Sequence, residues 1–306
     1  MSVPPAPDFR ARLRSRRPLV LDAAMGTDLL ARGQDRPAGE EVLPAPLWSA
    51  QALLDAPELV EAIHRENAEA AADVLTIASF RLHGRNLRES SCSLSHGDLL
   101  ALAVNAARRA AEEKISLKGE EGAPWIAGSL APLEDCYRPD LVPKQEDILF
   151  SEHAEMAAAL AAAGVDLILV ETMNTVREAA AAARGAAATG LPVVASCVTD
   201  GTGRLLSGES VEDFARALLS LPAPPDALGI NCVAARALAG DLARLAAAAP
   251  GVPLSAYGNT FGDPVEPEDY AALAAERVRL GARIVGGCCG TTAAHTAALA
   301  QLIYGK

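Results

Sequence analysis

The feature that most constrains this fold is an alternation of short apolar segments with longer alanine-rich segments, repeated along almost the whole chain. The short segments are rich in β-branched residues and continuously apolar, which is typical of strands covered on both faces. Eight strands are therefore predicted, at 18–22, 73–79, 125–129, 166–172, 193–198, 227–231, 253–257 and 283–287. Strands that alternate with helices in this way favour a parallel sheet with helical crossovers.

The longer segments have the periodicity of amphipathic helices. The clearest helices are predicted at 57–71, 98–113, 152–164 and 267–281. Gly164 and Gly281 lie where a helix-terminating glycine is expected. Eight strand–helix units in 306 residues predict an α/β fold, a single (β/α)8 TIM barrel. A doubly wound open sheet is the alternative, but no G-x-G-x-x-G motif follows the first strand to indicate a dinucleotide site.

We divide the chain into an N-terminal arm, residues 1–17, and one barrel domain, residues 18–306. Two long loops interrupt the regular spacing, at 31–48 after the first strand and at 128–147 after the third. Loops that follow the strands of a TIM barrel lie at its carboxyl-terminal end, where active sites are built. We therefore expect the functional site at that end.

The charge of the chain excludes some classes of partner. A net charge of -12 repels phosphate backbones, so we expect no nucleic-acid partner. The one basic cluster, five arginines within residues 10–17, is interpreted as a solvated arm or first helix. No apolar run reaches the roughly 18 residues of a membrane helix, and the first residues lack the apolar centre of a signal peptide. We expect a cytoplasmic protein with no membrane partner, whose six cysteines serve metal binding or catalysis.

Three cysteines fall at the carboxyl ends of predicted strands, Cys232 after the sixth and Cys288 and Cys289 after the eighth. Side chains from alternate strands of a barrel share a layer, so these thiols can converge. Three thiolates suit tetrahedral zinc and leave one position open, as in catalytic zinc sites. Two alternatives remain: buried core thiols, or a disulfide between the adjacent Cys288 and Cys289.

The other three cysteines are interpreted differently. Cys92, in a polar loop, is taken as incidental, and Cys136, in the second long loop, is expected to point away from the site. Cys197 ends the fifth strand and is interpreted as a packed small residue. It is the best placed of these three to be an additional ligand.

Six motifs resemble, in order, the zinc-dependent homocysteine S-methyltransferase family. They are LDAAMGTDLLARG (21–33), LWSA (47–50), GSLAPLEDCY (128–137), VETMN (170–174), GINCV (229–233) and GGCCGTT (286–292). The resemblance implies a TIM-barrel methyltransferase that binds homocysteine and takes part in methionine biosynthesis. Such an enzyme transfers a methyl group from a small sulfonium donor, S-methylmethionine or S-adenosylmethionine, to the homocysteine thiol and gives methionine.

The resemblance also implies roles for single residues. Cys232, Cys288 and Cys289 correspond to the family's zinc ligands and form the catalytic centre, with Zn²⁺ as cofactor. Glu171 and Asp22 correspond to residues near the substrate's amino group, and a desolvated ammonium requires carboxylate partners. The alternatives are a salt bridge at the barrel rim for Glu171 and a cap on the following turn for Asp22.

Asn259, in the loop after the seventh strand, corresponds to a family loop near the metal and is taken as substrate-binding, with an ordinary turn residue as the alternative. Trp48 and Phe80 are interpreted as core residues, or alternatively as an apolar wall for a cationic donor. Two positions depart from the family pattern, Ala23 in place of glycine and Ile77 in place of a polar residue.

These departures leave two alternatives open: a different thiol acceptor, or a zinc- and thiol-binding barrel without turnover. A corrinoid protein as methyl donor is a third alternative, because the resemblance extends to a module of cobalamin-dependent enzymes. A homo-oligomer is also left open.

Overall fold

The computed structural model describes residues 8–33, 46–118 and 123–305. The first seven residues of the predicted N-terminal arm and most of the predicted 31–48 loop lie outside the described residues. Within the described part, eight parallel strands form a barrel surrounded by helices, which confirms the predicted fold.

Every predicted strand segment overlaps one strand of the structure. The strands are β1 (Leu19–Val20), β2 (Val74–Thr76), β3 (Trp125–Leu130), β4 (Leu167–Met173), β5 (Val193–Cys197), β6 (Ala227–Ala234), β7 (Leu254–Asn259) and β8 (Ala282–Gly287). Of these, β3, β4, β6, β7 and β8 extend beyond the predicted bounds. Each strand pairs in parallel with the next from β2 to β8, and β8 pairs with β1. A parallel bridge between Leu21 and Val74 joins β1 to β2 and completes the ring.

Helices cover the outside of the barrel. They are α1 (Phe9–Leu13), α2 (Met25–Arg32), α3 (Ala52–Asp55), α4 (Pro57–Glu69), α5 (Gly84–Glu89), α6 (His96–Lys118), α7 (Glu146–Ala163), α8 (Val176–Ala187), α9 (Val211–Leu219), α10 (Leu238–Ala248), α11 (Pro267–Arg279) and α12 (Ala293–Tyr304). The α7 helix begins earlier than the predicted 152, because Glu146 and Asp147 supply the negative charge that favours a helix N-terminus. Gly164 ends α7 with a φ of 90°.

The inside of the barrel changes from apolar to polar along the strands. Successive side chains of a strand alternate in direction, so Leu167, Leu169 and Glu171 of β4 share one face. Leu167 and Leu169 belong to a buried apolar cluster that also contains Phe9 and Leu13 of α1. Glu171 continues the same face toward the carboxyl end of β4. The strand alternation therefore brings polar groups together at that end of the barrel.

The α1 helix lies at the opposite end of the barrel. The ring of Phe9 packs edge-on against Trp125, at the start of β3, with 5.5 Å between ring centroids. Arg10 Nε donates to Asp226 Oδ1 at 2.8 Å, and the Arg17 guanidinium lies 4.2 Å from the Tyr304 ring centroid. Part of the basic cluster thus attaches α1 to the barrel. None of the helices in the described ranges is both long and apolar enough to cross a membrane.

Candidate metal and substrate site

A cavity of about 720 Å³ opens at the carboxyl-terminal end of the barrel. Seven of the eight strand ends contribute lining residues, among them Asp22, Thr76, Ser129, Glu171, Cys232, Tyr257 and Cys288. The first long loop contributes Pro46 and Trp48, and the second contributes Asp135, Cys136 and Tyr137. The cavity therefore lies where the predicted barrel and its loops require a site.

The three predicted thiols meet on one wall of this cavity. The Sγ atoms of Cys232, Cys288 and Cys289 all lie within 4.8 Å of one another. The Cys232 and Cys289 sulfurs are 3.9 Å apart. Two sulfurs bound at ~2.3 Å to one tetrahedral ion are separated by about 3.8 Å, so this pair already has the spacing of two metal ligands.

Cys232 and Cys288 are joined as a disulfide, with 5.5 Å between their Cα atoms, whereas Cys289 is free. The disulfide predicted as an alternative, between Cys288 and Cys289, is therefore not the one the structure contains. Metal ions bind deprotonated cysteines, so the Cys232–Cys288 pair must be reduced before all three sulfurs can act as ligands. Burial raises the pKa of the Cys289 thiol, which keeps it protonated until a cation is present.

Hydrogen bonds hold the backbone beside the three clustered thiols. Asn259 Nδ2 donates to the Cys232 carbonyl at 2.8 Å, and Thr291 Oγ1 donates to the Cys288 carbonyl at 2.7 Å. Gly290 has a φ of 83°, and a Cβ there would lie 2.9 Å from the backbone nitrogen of Phe261. Asn259 is not among the residues that line the cavity; its amide lies behind Cys232.

Asn231 supports the site from behind, a role that the sequence motifs did not predict. It is fully buried, and it exchanges two hydrogen bonds with Thr172 of β4. The Thr172 N–H donates to Asn231 Oδ1 at 2.9 Å, and Asn231 Nδ2 donates to Thr172 Oγ1 at 2.8 Å. Its position directly before Cys232 in the GINCV motif was the available signal.

Asp22 and Glu171 are buried in the cavity floor, 4% and 8% exposed. The N–H and hydroxyl of Thr76 donate to Asp22 at 2.7 and 2.8 Å, and Ser129 Oγ donates to Glu171 Oε1. Asp22 therefore does not cap the following turn, and neither carboxylate forms an ion pair within the described chain. Burial raises the pKa of Asp22 to about 8 and also raises that of Glu171.

Tyr257 adds a buried hydroxyl to this floor. Its side chain is 2% exposed and lies close to Glu171. Its oxygen has no hydrogen-bond partner of normal geometry among the residues that the structure describes. Glu171 and Ser196 are the protein groups that interact with this hydroxyl, so Tyr257 belongs to the polar group around Glu171.

The outer part of the cavity is largely apolar and aromatic. The rings of Trp48 and Phe80 meet edge to face, with centroids 5.8 Å apart, and both side chains are half-buried lining residues. Cys136 also lines the cavity, which corrects the expectation that it points away. Asn174 Nδ2 donates to the Cys136 carbonyl at 3.0 Å and so orients this loop. Cys197 is fully buried in the core, as predicted.

The fold and the convergent thiols define a TIM-barrel protein whose carboxyl-terminal end carries three cysteines that could hold a metal ion. The chain belongs to the homocysteine S-methyltransferase family, which it matches over residues 19–303.

Individual relatives agree with this assignment. The homocysteine S-methyltransferase of Escherichia coli is 31% identical, over 95% of this chain and 97% of that protein. The methionine synthase of Mycobacterium tuberculosis is 29% identical over 94% of this chain, which spans only 25% of that longer protein. The metallated form of the homocysteine methyltransferase MmuM from Escherichia coli superposes with a TM-score of 0.80 at 29% identity. That match covers 96% of this chain and 99% of that one.

Proposed function

We propose that this protein transfers a methyl group from a small sulfonium donor to the thiol of homocysteine and thereby forms methionine. In this proposal Cys232, Cys288 and Cys289 hold a zinc ion, and Asp22 and Glu171 bind the amino group of the acceptor. Asn259 acts by holding the Cys232 backbone beside the bound acceptor.

The observation that carries the proposal is the meeting of three thiols with two buried carboxylates in one cavity. Homocysteine carries a thiol and an ammonium group, and these are the two features that such a cavity recognises. The donor set also fits the metal, because thiolates favour zinc over oxygen-preferring cations such as Mg²⁺. Zinc, when bound, lowers the pKa of a coordinated thiol and keeps its sulfur nucleophilic at neutral pH.

The residues of the chain orient the two substrates. Asp22 and Glu171 become fully ionised when an ammonium group replaces their protons, which fixes the acceptor at the cavity floor. Trp48 and Phe80 supply an aromatic wall, and a cationic donor is attracted to the faces of such rings. The acceptor sulfur then forms a bond to the methyl carbon while the bond from that carbon to the donor sulfur breaks. The electron pair stays on the donor sulfur, which leaves as a neutral thioether, so no general acid is required.

Metal analysis of the reduced protein tests the ligand assignment. One equivalent of zinc is expected in the wild type, with large losses in Cys232→Ser, Cys288→Ser and Cys289→Ser. Cys197→Ser is the matched control, because Cys197 is buried in the core away from the cavity. Undiminished zinc in the three ligand variants would reject the assignment.

A matrix of methyl donors and thiol acceptors, with products identified by mass, tests the reaction. We expect methionine from homocysteine with S-methylmethionine or S-adenosylmethionine. A second candidate acceptor, a thiol other than homocysteine, is favoured by Ile77, an apolar side chain that lines the cavity where the family has a polar one. Transfer to other thiols but not to homocysteine would support it. Tight zinc and thiol binding without transfer from any donor, a corrinoid protein included, would contradict the enzymatic proposal.

A further inference from the structure

Arg81 is the only residue with a cationic side chain among the described residues that line the cavity. It follows Phe80 in the segment after β2 and is half-buried. The ionisable carboxyl groups of the same lining are Asp22, Asp135 and Glu171. A site with three carboxyl groups and one guanidinium group attracts cations, so the single arginine in its wall requires an explanation.

The Arg81 side chain forms no ion pair or hydrogen bond within the described residues, although the chain carries a net charge of -12. Its backbone is nevertheless fixed, because Asn86 Nδ2 donates to the Arg81 carbonyl at 2.7 Å. The nearby Arg85 is paired with Glu152 at 2.7 Å and also with Glu134. A guanidinium group has the fork geometry for two parallel hydrogen bonds to a carboxylate, and Arg81 keeps that geometry available.

The cavity has a buried polar floor and a less buried outer part. On the inner side lie the buried groups Asp22, Glu171 and Tyr257. Cys289 is close enough to Glu171 to be influenced by its charge, and it likewise influences Cys136 and Tyr137 in the outer loop.

Arg81 belongs to the outer part. Its charge acts on Cys136, and it directly follows Phe80 of the aromatic wall. The acceptor's amino group belongs to the inner carboxylates, which leaves the outer part for the second substrate.

We infer that Arg81 binds the carboxylate of the sulfonium donor and so makes the site selective for donors that carry a free carboxylate. This inference rests on the proposed function. The sulfonium lies against Trp48 and Phe80, and the carboxylate at the other end of the donor pairs with Arg81. The two contacts fix the direction of the donor and turn its methyl group toward the thiols.

Kinetics with a pair of donors test this inference. S-methylmethionine is compared with its methyl ester, which keeps the sulfonium and loses the carboxylate charge. With wild-type protein we expect the KM of the ester to be about 10- to 100-fold higher, the range for one charge-assisted hydrogen-bonded pair. Arg81→Gln should raise the KM for S-methylmethionine by the same factor, with the KM values for the ester and for homocysteine changed less than about twofold. Arg81→Lys should restore part of the discrimination.

Arg279→Gln is the matched control, since Arg279 is an exposed arginine on α11 outside the cavity. Its removal changes the net charge equally and should leave the ratio of the two donor KM values unchanged. Two results would overturn the inference. The first is that Arg81→Gln discriminates between S-methylmethionine and its ester as strongly as the wild type does. The second is that Arg81→Gln raises the KM for homocysteine and leaves the KM for S-methylmethionine unchanged. The second result would assign Arg81 to the acceptor.

Direct binding separates this inference from the proposed function. The chain has two tryptophans, and Trp48 lines the cavity whereas Trp125 is buried at the other end of the barrel. Tryptophan fluorescence therefore reports S-methylmethionine binding to the reduced protein without any turnover. A 10- to 100-fold weaker affinity in Arg81→Gln supports the carboxylate contact even if no methyl transfer occurs. Equal affinities would refute it whether or not the protein is active.

Discussion

At the scale of single residues, backbone strain is concentrated at the site. Four non-glycine residues among those described have positive φ, and Trp48, Thr172 and Cys232 line the cavity. Such conformations cost about 1–3 kcal/mol each and persist only where the surroundings enforce them. For Thr172 and Cys232 the enforcing group is Asn231, which bonds to Thr172 and directly precedes Cys232. The direction of the Cys232 thiol therefore depends on a residue that never touches the metal.

Replacing Asn231 by alanine tests this dependence. We expect zinc affinity to fall about 10- to 100-fold, as for other groups that orient metal ligands. The free energy of unfolding should fall by about 1–3 kcal/mol for each buried group of Thr172 left unpaired. Competition with a chelator and denaturant titration measure the two effects. Asn105→Ala, at an exposed position of α6, is the control. A variant that binds zinc like the wild type would show that Asn231 does not position Cys232.

Asp22 predicts a pH dependence of acceptor binding. Burial raises its pKa to about 8, so the carboxyl is mostly protonated at neutral pH and ionises as the pH rises. A pKa of about 8 means an ionised fraction of about 0.09 at pH 7 and about 0.76 at pH 8.5. Homocysteine affinity should therefore rise with pH over this range, by up to roughly eightfold through Asp22.

Thiol deprotonation at the metal also favours binding at higher pH, so the test is a difference between two proteins. Homocysteine binding is measured by calorimetric titration of zinc-loaded wild type and zinc-loaded Asp22→Asn at several pH values. Thiol deprotonation contributes equally to the pH dependence of the affinity in both proteins. The wild type should show the steeper rise with pH. Parallel profiles would exclude Asp22 as a partner of the ammonium group.

At the scale of elements, the parts that could be predicted are those encoded locally. Each strand contains a short apolar run, and Cys288 and Cys289 directly follow the last strand, so their place at the barrel rim follows from the sequence. The direction of Cys136 could not be predicted, because it depends on Asn174, 38 positions along the chain. The same holds for the role of Asn231, whose partner Thr172 is 59 positions away.

The packing of α7 against α8 gives a prediction about stability. A Cβ added to Gly185 of α8 would lie 2.8 Å from the backbone nitrogen of Ala154 and 3.0 Å from its Cα in α7. The two helix backbones would have to separate, so Gly185→Ala should destabilise the protein by about 1–3 kcal/mol. Gly240 in α10 has no atom within 4 Å of the same position. Gly240→Ala should stabilise by about 0.5–1 kcal/mol. Denaturant unfolding of both variants compares the signs, and equal effects would contradict this account.

At the scale of the whole molecule, the two ends of the barrel differ: one is packed with apolar side chains and the other carries the reactive groups. Phe9 and Leu13 of α1 fill the amino-terminal end, and the chemistry-bearing groups collect at the other. The cysteines link the carboxyl ends of β6 and β8, two strands that are not neighbours because β7 lies between them. A disulfide or a metal ion can make this link, but the same sulfurs cannot do both.

This exclusion predicts how zinc and oxidation affect the stability of the barrel. Reduced protein in free zinc at 100 times the dissociation constant should gain about 2.7 kcal/mol, a rise in Tm of about 5 °C. Oxidised protein, with Cys232 bonded to Cys288, should show no such rise until it is reduced.

Cys289→Ser separates the two effects, because it keeps the Cys232–Cys288 pair and removes a proposed ligand. Its Tm should still respond to oxidation and should respond far less to zinc. Free thiols and bound zinc are then measured in the same samples during oxidation. We expect each protein molecule that forms the disulfide to lose two free thiols and its zinc. Zinc retained at full occupancy after both thiols are lost would show that the metal lies elsewhere.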